Sequence, residues 1–385
     1  MTEELAAERH ARVALSFLAQ PGDPVLGAAL RTRTAADLLA SVSGVDSDGQ
    51  AVLSDQVPDP ALARALPRWR DRLGELPSVA RLAAWQRCGL RVIIPGDAEW
   101  PSQLDDLGNA RPVVLWARGT ADLRFACLNS VSIVGSRAAT GYGSHVAIEM
   151  AATLADSGVA VISGGAYGID AGAHRGALAA SGVTVAVLAG GLEFGYPRGH
   201  GELFAAIAAH GVLVSECPPD RGPTRPGFLV RNRIIAALSR GTVVVEAALR
   251  SGALNSARHA RELCRPVMAV PGPVTSEQSA GCHELIRDYG AMCVTCGSDV
   301  AEHIALPGAG PSEGPRHGPA TARDMLDPTS VAVLEEVPLR GGRGPASIAV
   351  RAGVDLDTAL RCLGSLAVGG FVERCELGWR AARLN

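Results

Sequence analysis

The sequence predicts a doubly wound α/β protein with a small helical domain before the sheet and a short helical module after it. Three observations predict it. Short apolar runs separated by helical stretches fill the middle of the chain, two of those runs spill directly into glycines, and both flanks repeat apolar positions at helical spacing. Buried parallel strands read as continuous apolar runs, and helices between them supply the crossovers.

Residues 1–85 alternate apolar and polar positions, as in ERHARVALSFLA and RTAADLLASV, and predict the helical N-terminal domain. Residues 86–305 carry nine candidate strands: RVIIPG, PVVLWARG, VSIVGS, VAVISGG, VTVAVLAGG, GVLVSE, TVVVEAA, PVMAVPG and AMCVT. Residues 306–322, LPGAGPSEGPRHGPATA, read as a linker. Residues 323–385 give about three short amphipathic helices and a hairpin-like end, FVERCELGWRAAR, the order of a winged helix-turn-helix. Its candidate groove helix, DLDTALRCLGSLAV, carries Arg361 against Asp355 and Asp357, so a protein-contact module is favoured over duplex binding.

Composition narrows the function. The 385 residues carry a formal net charge of -3, so any nucleic-acid contact needs a local patch. All 36 basic residues are arginine, which removes the lysine that a P-loop or a Schiff-base enzyme requires. There is no apolar stretch of membrane-spanning length, and the acidic start lacks a signal-peptide pattern, so a cytoplasmic protein without membrane contact is expected. The nine scattered cysteines suit reduced thiols. Cys293-x-x-Cys296 lies in a strand-like run, and with Cys282 and His283 upstream it falls short of a compact ligand set, so no metal is expected.

Two glycine turns carry the candidate chemistry. In SIVGSRAATGYG, Gly135 permits a tight turn, Ser136 offers a hydroxyl and Arg137 a planar fork for phosphate, while a helix starting near Thr140–Gly143 turns free N–H groups toward them. The same glycines also suit simple helix-on-strand packing. The second turn, Ser163-Gly164-Gly165-Ala166-Tyr167-Gly168-Ile169-Asp170, ends at the same carboxyl edge of the sheet, where open α/β folds bind ligands. Asp170 and His174 stand four apart on the following helix and can pair, and no nucleophile-base set surrounds Ser163. Between Arg221 and Arg265 there are nine arginines against Glu246 and Glu262, and Glu246 reads as a cap or an arginine partner. Phe228 precedes Arg231-Asn232-Arg233, a stacking face beside phosphate forks. Arg198 in YPRGH is a further candidate, in a turn.

Together these residues resemble the DNA-processing protein family, DprA, also called Smf. The motifs that carry the resemblance are SIVGSRAATGYG, SGGAYGIDAGAH, GGLEFGYPRGH, VSECPP, FLVRNRIIAALSRGTVVVEAALRSGAL, AVPG and SAGCHELIRDYGA, in order over about residues 92 to 300. The resemblance implies an extended Rossmann sheet flanked by a helical domain of the SAM or helix-hairpin kind and by a winged helix. It implies a homodimer without catalytic activity or cofactor, which binds single-stranded DNA and helps load RecA onto incoming strands in natural transformation. It also implies that Arg137 holds phosphate, that Ser163 to Asp170 line the pocket, and that Phe228 to Arg233 touch the strand. Leu229 and Val230 stand where many members have proline and a basic residue, and His283 stands where asparagine is common. Two other readings compete. One is a nucleotide phosphoribohydrolase, whose paired-glycine motif TVVVEAALRSGAL lacks; the other is a duplex-binding regulator acting through the tail.

Overall fold

The apolar runs all become strands. The computed structural model describes residues 3–44, 59–305 and 321–382, and the chain divides into two compact units, Met1–Ser312 and Glu313–Asn385. The first unit opens with α1 (Glu3–Leu18), α2 (Pro24–Ala29), α3 (Ala35–Ser43), α4 (Pro60–Arg70) and α5 (Val79–Arg87). Asp23, Thr34, Asp59 and Ser78 stop four of these helices at their N-termini by accepting the otherwise unpaired N–H groups.

The sheet follows. Its elements are β1 (Arg91–Ile93), β2 (Leu115–Gly119), α6 (Leu123–Leu128), β3 (Ser130–Val134), α7 (Gly141–Asp156), β4 (Ala160–Ser163), α8 (Ile169–Ala179), β5 (Thr184–Leu188) and α9 (Gly201–His210). The chain continues through β6 (Val212–Ser215), α10 (Arg225–Leu238), β7 (Thr242–Val244), α11 (Ala253–Glu262), β8 (Val267–Ala269), α12 (Ala280–Tyr289), β9 (Met292–Cys293) and α13 (Gly297–Ile304). The nine strands form one sheet in the order β1-β2-β6-β5-β4-β3-β7-β8-β9. From β6 to β9 every pair is parallel, and the order reverses beside β3, whose neighbours are β4 and β7. β1 and β2 depart from the expected parallel pattern, since β1 pairs with β2 and β2 with β6 antiparallel. An apolar run reports burial on both faces, not chain direction, so these two strands look like the rest in sequence.

Side chains alternate across the sheet. Val131 and Ile133 of β3 pack under α7, α8 and α13. Ser130 and Ser132, on the other face, give their hydroxyls to the carbonyls of Leu238 and Ile235 in α10. That second face is completed by Ile234, Ile235, Ala257 and Leu285 from α10, α11 and α12. The N-terminal helices have their own cluster around Leu15, Leu38, Leu62 and Trp69. Phe17 of α1 and Trp85 of α5 join it to the sheet: Trp85 stands 5.7 Å from Trp116 of β2, nearly perpendicular, a favoured aromatic geometry.

The second unit is built from α14 (Pro328–Glu335), α15 (Pro345–Ala352), α16 (Leu356–Val368) and the antiparallel ribbon of β10 (Val372–Cys375) and β11 (Gly378–Ala381). Val333, Ile348, Leu363 and Val372 form its core. The stretch read as a linker, 306–322, lies outside the described residues except for its last two.

Candidate functional site

A cavity of about 750 Å³ opens where the strand order reverses, at the carboxyl ends of β3, β4 and β7. Open α/β sheets take their ligands at that point. Of the sequence candidates, Gly135, Ser136, Arg137, Asp170, Phe228, Arg231 and Asn232 line it.

The two glycine turns are fastened to each other. A Cβ on Gly135 would stand 2.5 Å from Ile169 Cγ1, and one on Gly168 would stand 2.2 Å from the Ser136 carbonyl oxygen. Gly168 also has φ +77, a conformation glycine holds without strain. The amide of Ile169 then donates to the Ser136 carbonyl at 3.2 Å. Both positions thus serve close packing, and through it they fix where Arg137 leaves the chain.

One expectation about the first turn fails. The start of α7 already faces a carboxylate of the chain itself, because Glu246, which follows β7, bonds the capping residue Thr140. Its carboxylate accepts from the Thr140 amide at 2.9 Å and the Thr140 hydroxyl at 2.6 Å, and Gly143 has no Cβ because that carbon would lie 2.2 Å from Glu246 Oε2. An internal carboxylate thereby satisfies the positive end of the helix. Of the two roles read for Glu246, capping is the one the structure gives.

The second turn serves mainly as scaffold. Ser163 gives its hydroxyl to the Ile133 carbonyl at 2.6 Å, Gly165 gives its carbonyl to His200, and Gly164 lies under the Arg231 guanidinium. Ser163, Gly164, Gly165, Gly168 and Ile169 therefore stand behind the cavity wall. Asp170 accepts from the amides of Gly164 and Ala166 at 3.1 and 3.3 Å. Burial pushes its carboxyl up, while Arg231 and those amides pull it back. Asp170 does not pair with His174. His174 Nδ1 bonds the Thr184 hydroxyl at 2.7 Å, and burial pushes the imidazole down to about 3.

That shift has a readable consequence. In the unfolded chain His174 takes a proton near its ordinary 6.5, and in the fold it stays neutral. Its stabilising contribution is complete above pH 6.5 and is lost as pH falls toward 3, at about 1.4 kcal/mol per pH unit. Denaturant titrations between pH 7 and 5 should show this slope, and His174→Gln should flatten it; an equal slope in the variant would assign it to other groups.

The arginines divide by neighbour. Arg231 Nη1 donates to the carbonyls of Gly164, at 2.7 Å, and Val187, and Nε donates to Asn232. Burial lowers Arg231 to about 10, so it stays cationic at neutral pH. Asn232 Nδ2 donates to the Gly252 carbonyl at 3.2 Å. Arg233 is not free to hold a phosphate. It points away from the cavity, where Nη2 grips both oxygens of buried Glu216 at 2.8 and 2.9 Å and Nε donates to the Ala110 carbonyl. Arg198 is exposed in the turn Arg198–His200 and does not line the cavity.

Arg137 is different. It is exposed, it has no ion-pair partner among the described residues, and its guanidinium carbon stands 4.3 Å over the Phe228 ring. The Tyr196 ring stands 5.7 Å from that of Phe228, tilted by 61°. Arg225 and Arg250 also line the cavity, exposed and without ion-pair partners among the described residues. Both belong to the basic patch seen in the sequence, where nothing assigns them to the site, and Tyr196 stands in GGLEFGYPRGH with no role assigned to it. Arg225 has the clearest signal of the three, as the first residue of α10 after the Thr224 cap. Leu229 lines the cavity half-exposed, Val230 packs toward Gly22, and His283 bonds the Gly272 carbonyl at 3.0 Å. The open rim is thus cationic and aromatic.

Comparison with known proteins gives the same direction. A family model described as DNA recombination-mediator protein A matches residues 91–305. A DprA-type DNA processing protein of Mycobacterium tuberculosis (strain H37Rv) is 47% identical over 308 residues, covering 77% of this chain and 78% of that one. DNA processing protein DprA of Bacillus subtilis is 34% identical, over 66% of this chain and 83% of its own. The X-ray structure of DNA processing protein A from Streptococcus pneumoniae superposes with a TM-score of 0.61 and 30% identity, over 77% of this chain and 96% of that one. A Helicobacter pylori DNA processing protein A, solved for its single-stranded DNA binding mode, gives 0.50 and 30% over 55% and 93%.

Proposed function

We propose, from the premise that this chain belongs to the DNA recombination-mediator protein A family, that the switch-point cavity holds the backbone of single-stranded DNA. One observation carries the reading: an exposed guanidinium without an ion-pair partner among the described residues, Arg137, stacked on Phe228 at the ligand edge of the sheet. Arg137, Arg225 and Arg250 meet phosphates, and the exposed ring of Tyr196 offers stacking to bases of any sequence, with Phe228 seating Arg137 beside it. The single-stranded DNA binding mode of the Helicobacter pylori protein supports the choice of single strands.

On this reading the protein is a recombination mediator without a catalytic step. It protects incoming strands, passes them to RecA, acts as a homodimer and works in the cytoplasm. Family membership supports these finer roles. The bonding of Ser163 to a carbonyl and of His174 to Thr184 supports binding over hydrolysis. Among the described residues no helix is long and apolar enough to cross a membrane. The tail reads as a winged helix that contacts protein, because α16 turns Leu360 and Val368 to solvent and carries Arg361 as its one basic side chain.

Fluorescence anisotropy of labelled oligothymidylate, with a duplex of equal length alongside, tests the reading across a salt series. Single strands should bind preferentially with a steep salt slope. Arg137→Ala should weaken binding by about 1–3 kcal/mol, the range for hydrogen bonds to charged groups. Strand affinity indifferent to Arg137 would move the site elsewhere. Removing residues 306–385 should leave single-strand binding in place; its loss would favour the duplex-regulator reading.

A further inference from the structure

A second hollow, of about 250 Å³, lies where α1 and α2 meet the turn Ser102–Ala110 that leads into β2. Close backbone approach creates it. A Cβ on Gly27 would stand 1.9 Å from the Asn109 carbonyl oxygen, and Gly108 turns the chain at φ +57. Around this seam Arg12, Arg31 and Arg111 converge, with Asp105 as the one carboxylate in the lining.

Their bonding is incomplete. Arg12 is 8% exposed, yet only one face of its guanidinium is answered: Nε donates to Glu8 at 2.7 Å and Nη1 reaches the Val113 carbonyl at a long 3.4 Å. Its Nη2 has no partner among the described residues. Burial lowers Arg12, Glu8 pulls it back up, and the charge of Arg111 lowers it again. Arg111 bridges Asp105 at 2.9 Å, and exposed Arg31 has no ion-pair partner among the described residues. Three guanidiniums around one hollow with a single carboxylate leave a local excess of positive charge, which the planar forks of arginine match to phosphate oxygens.

We infer that this hollow, bounded by Arg12, Arg31 and Arg111, is a second phosphate site at the seam between the N-terminal helices and the sheet. The group it takes is either a free phosphate ester or one phosphodiester of a strand. The inference stands apart from the switch-point reading and does not need it.

The test uses the full chain and variants that spare buried Arg12. Arg31→Gln and Arg111→Gln are assayed in an Arg137→Ala background for inorganic phosphate binding by equilibrium dialysis. In the wild-type background they are assayed for binding of short and long oligothymidylates. If the site takes a free ester, each substitution lowers phosphate affinity about tenfold, the loss of a charge-assisted hydrogen bond, while both oligonucleotides bind as before. If it takes a strand, the long oligonucleotide loses affinity and its salt slope falls by about one, while the short one is unaffected. Unchanged binding of both ligands in both variants, with unchanged melting, overturns the inference. The Arg137→Ala chain alone reports on the other cavity, so the two failures are distinguishable.

Discussion

Arg233→Ala should destabilise the sheet unit by about 3–5 kcal/mol, the usual cost of breaking a buried ion pair by removing one partner. The geometry leaves little room to relax. Arg233 and Glu216 are both under one-tenth exposed, and Glu216 also accepts the Gly22 amide at 3.0 Å, while Arg233 holds the Ala110 carbonyl. The pair therefore ties the start of α2, the approach to β2 and α10 to one point. Urea unfolding of Arg233→Ala, Glu216→Gln and the double variant measures it. The double variant should cost less than the two single costs combined, since it removes the stranded charge. Full stability in Arg233→Ala with weaker strand binding would return Arg233 to the site.

Gly168→Ala should cost about 2–6 kcal/mol. Alanine held at φ +77 and ψ -127 carries about 1–3 kcal/mol of strain, and overpacking adds about 1–3 kcal/mol. The new methyl would fall 2.2 Å from the Ser136 carbonyl and 2.7 Å from the Arg137 carbonyl, so the two turns must part. Arg137 then loses its position over Phe228, and strand affinity falls with stability. Gly141→Ala is the control: it opens α7 with open space around its Cβ position, and it should be neutral or slightly stabilising. Differential scanning calorimetry and anisotropy on both variants decide the matter. An undisturbed melting temperature in Gly168→Ala would mean that the turns do not depend on their contact.

The nine strands were legible because burial on two faces writes an unbroken apolar run. The direction of β1 and β2 was not legible, since reversal changes hydrogen-bond partners and leaves side-chain burial alone. The first glycine turn and its arginine were legible as a place. Its mechanism was not, because Glu246 lies 106 residues from Thr140 and only the pairing of β3 with β7 brings them together. Arg231 and Arg233 look like one cluster in the sequence, yet two residues along a helix turn the side chain through about 200°. One therefore lines the cavity and the other serves the core. Tyr196 arrives from a loop and Arg225 from the start of α10, and no periodicity marks such convergence.

Glu246 at the head of α7 has a consequence for how such a protein evolves. With the helix end already neutralised from within, the attraction at the rim comes from a few exposed side chains and not from the backbone that holds the sheet. Those side chains carry little of the fold, so mutation can raise or lower grip on a ligand almost free of any penalty in folding. Affinity and architecture are separate traits in this chain, open to selection one at a time.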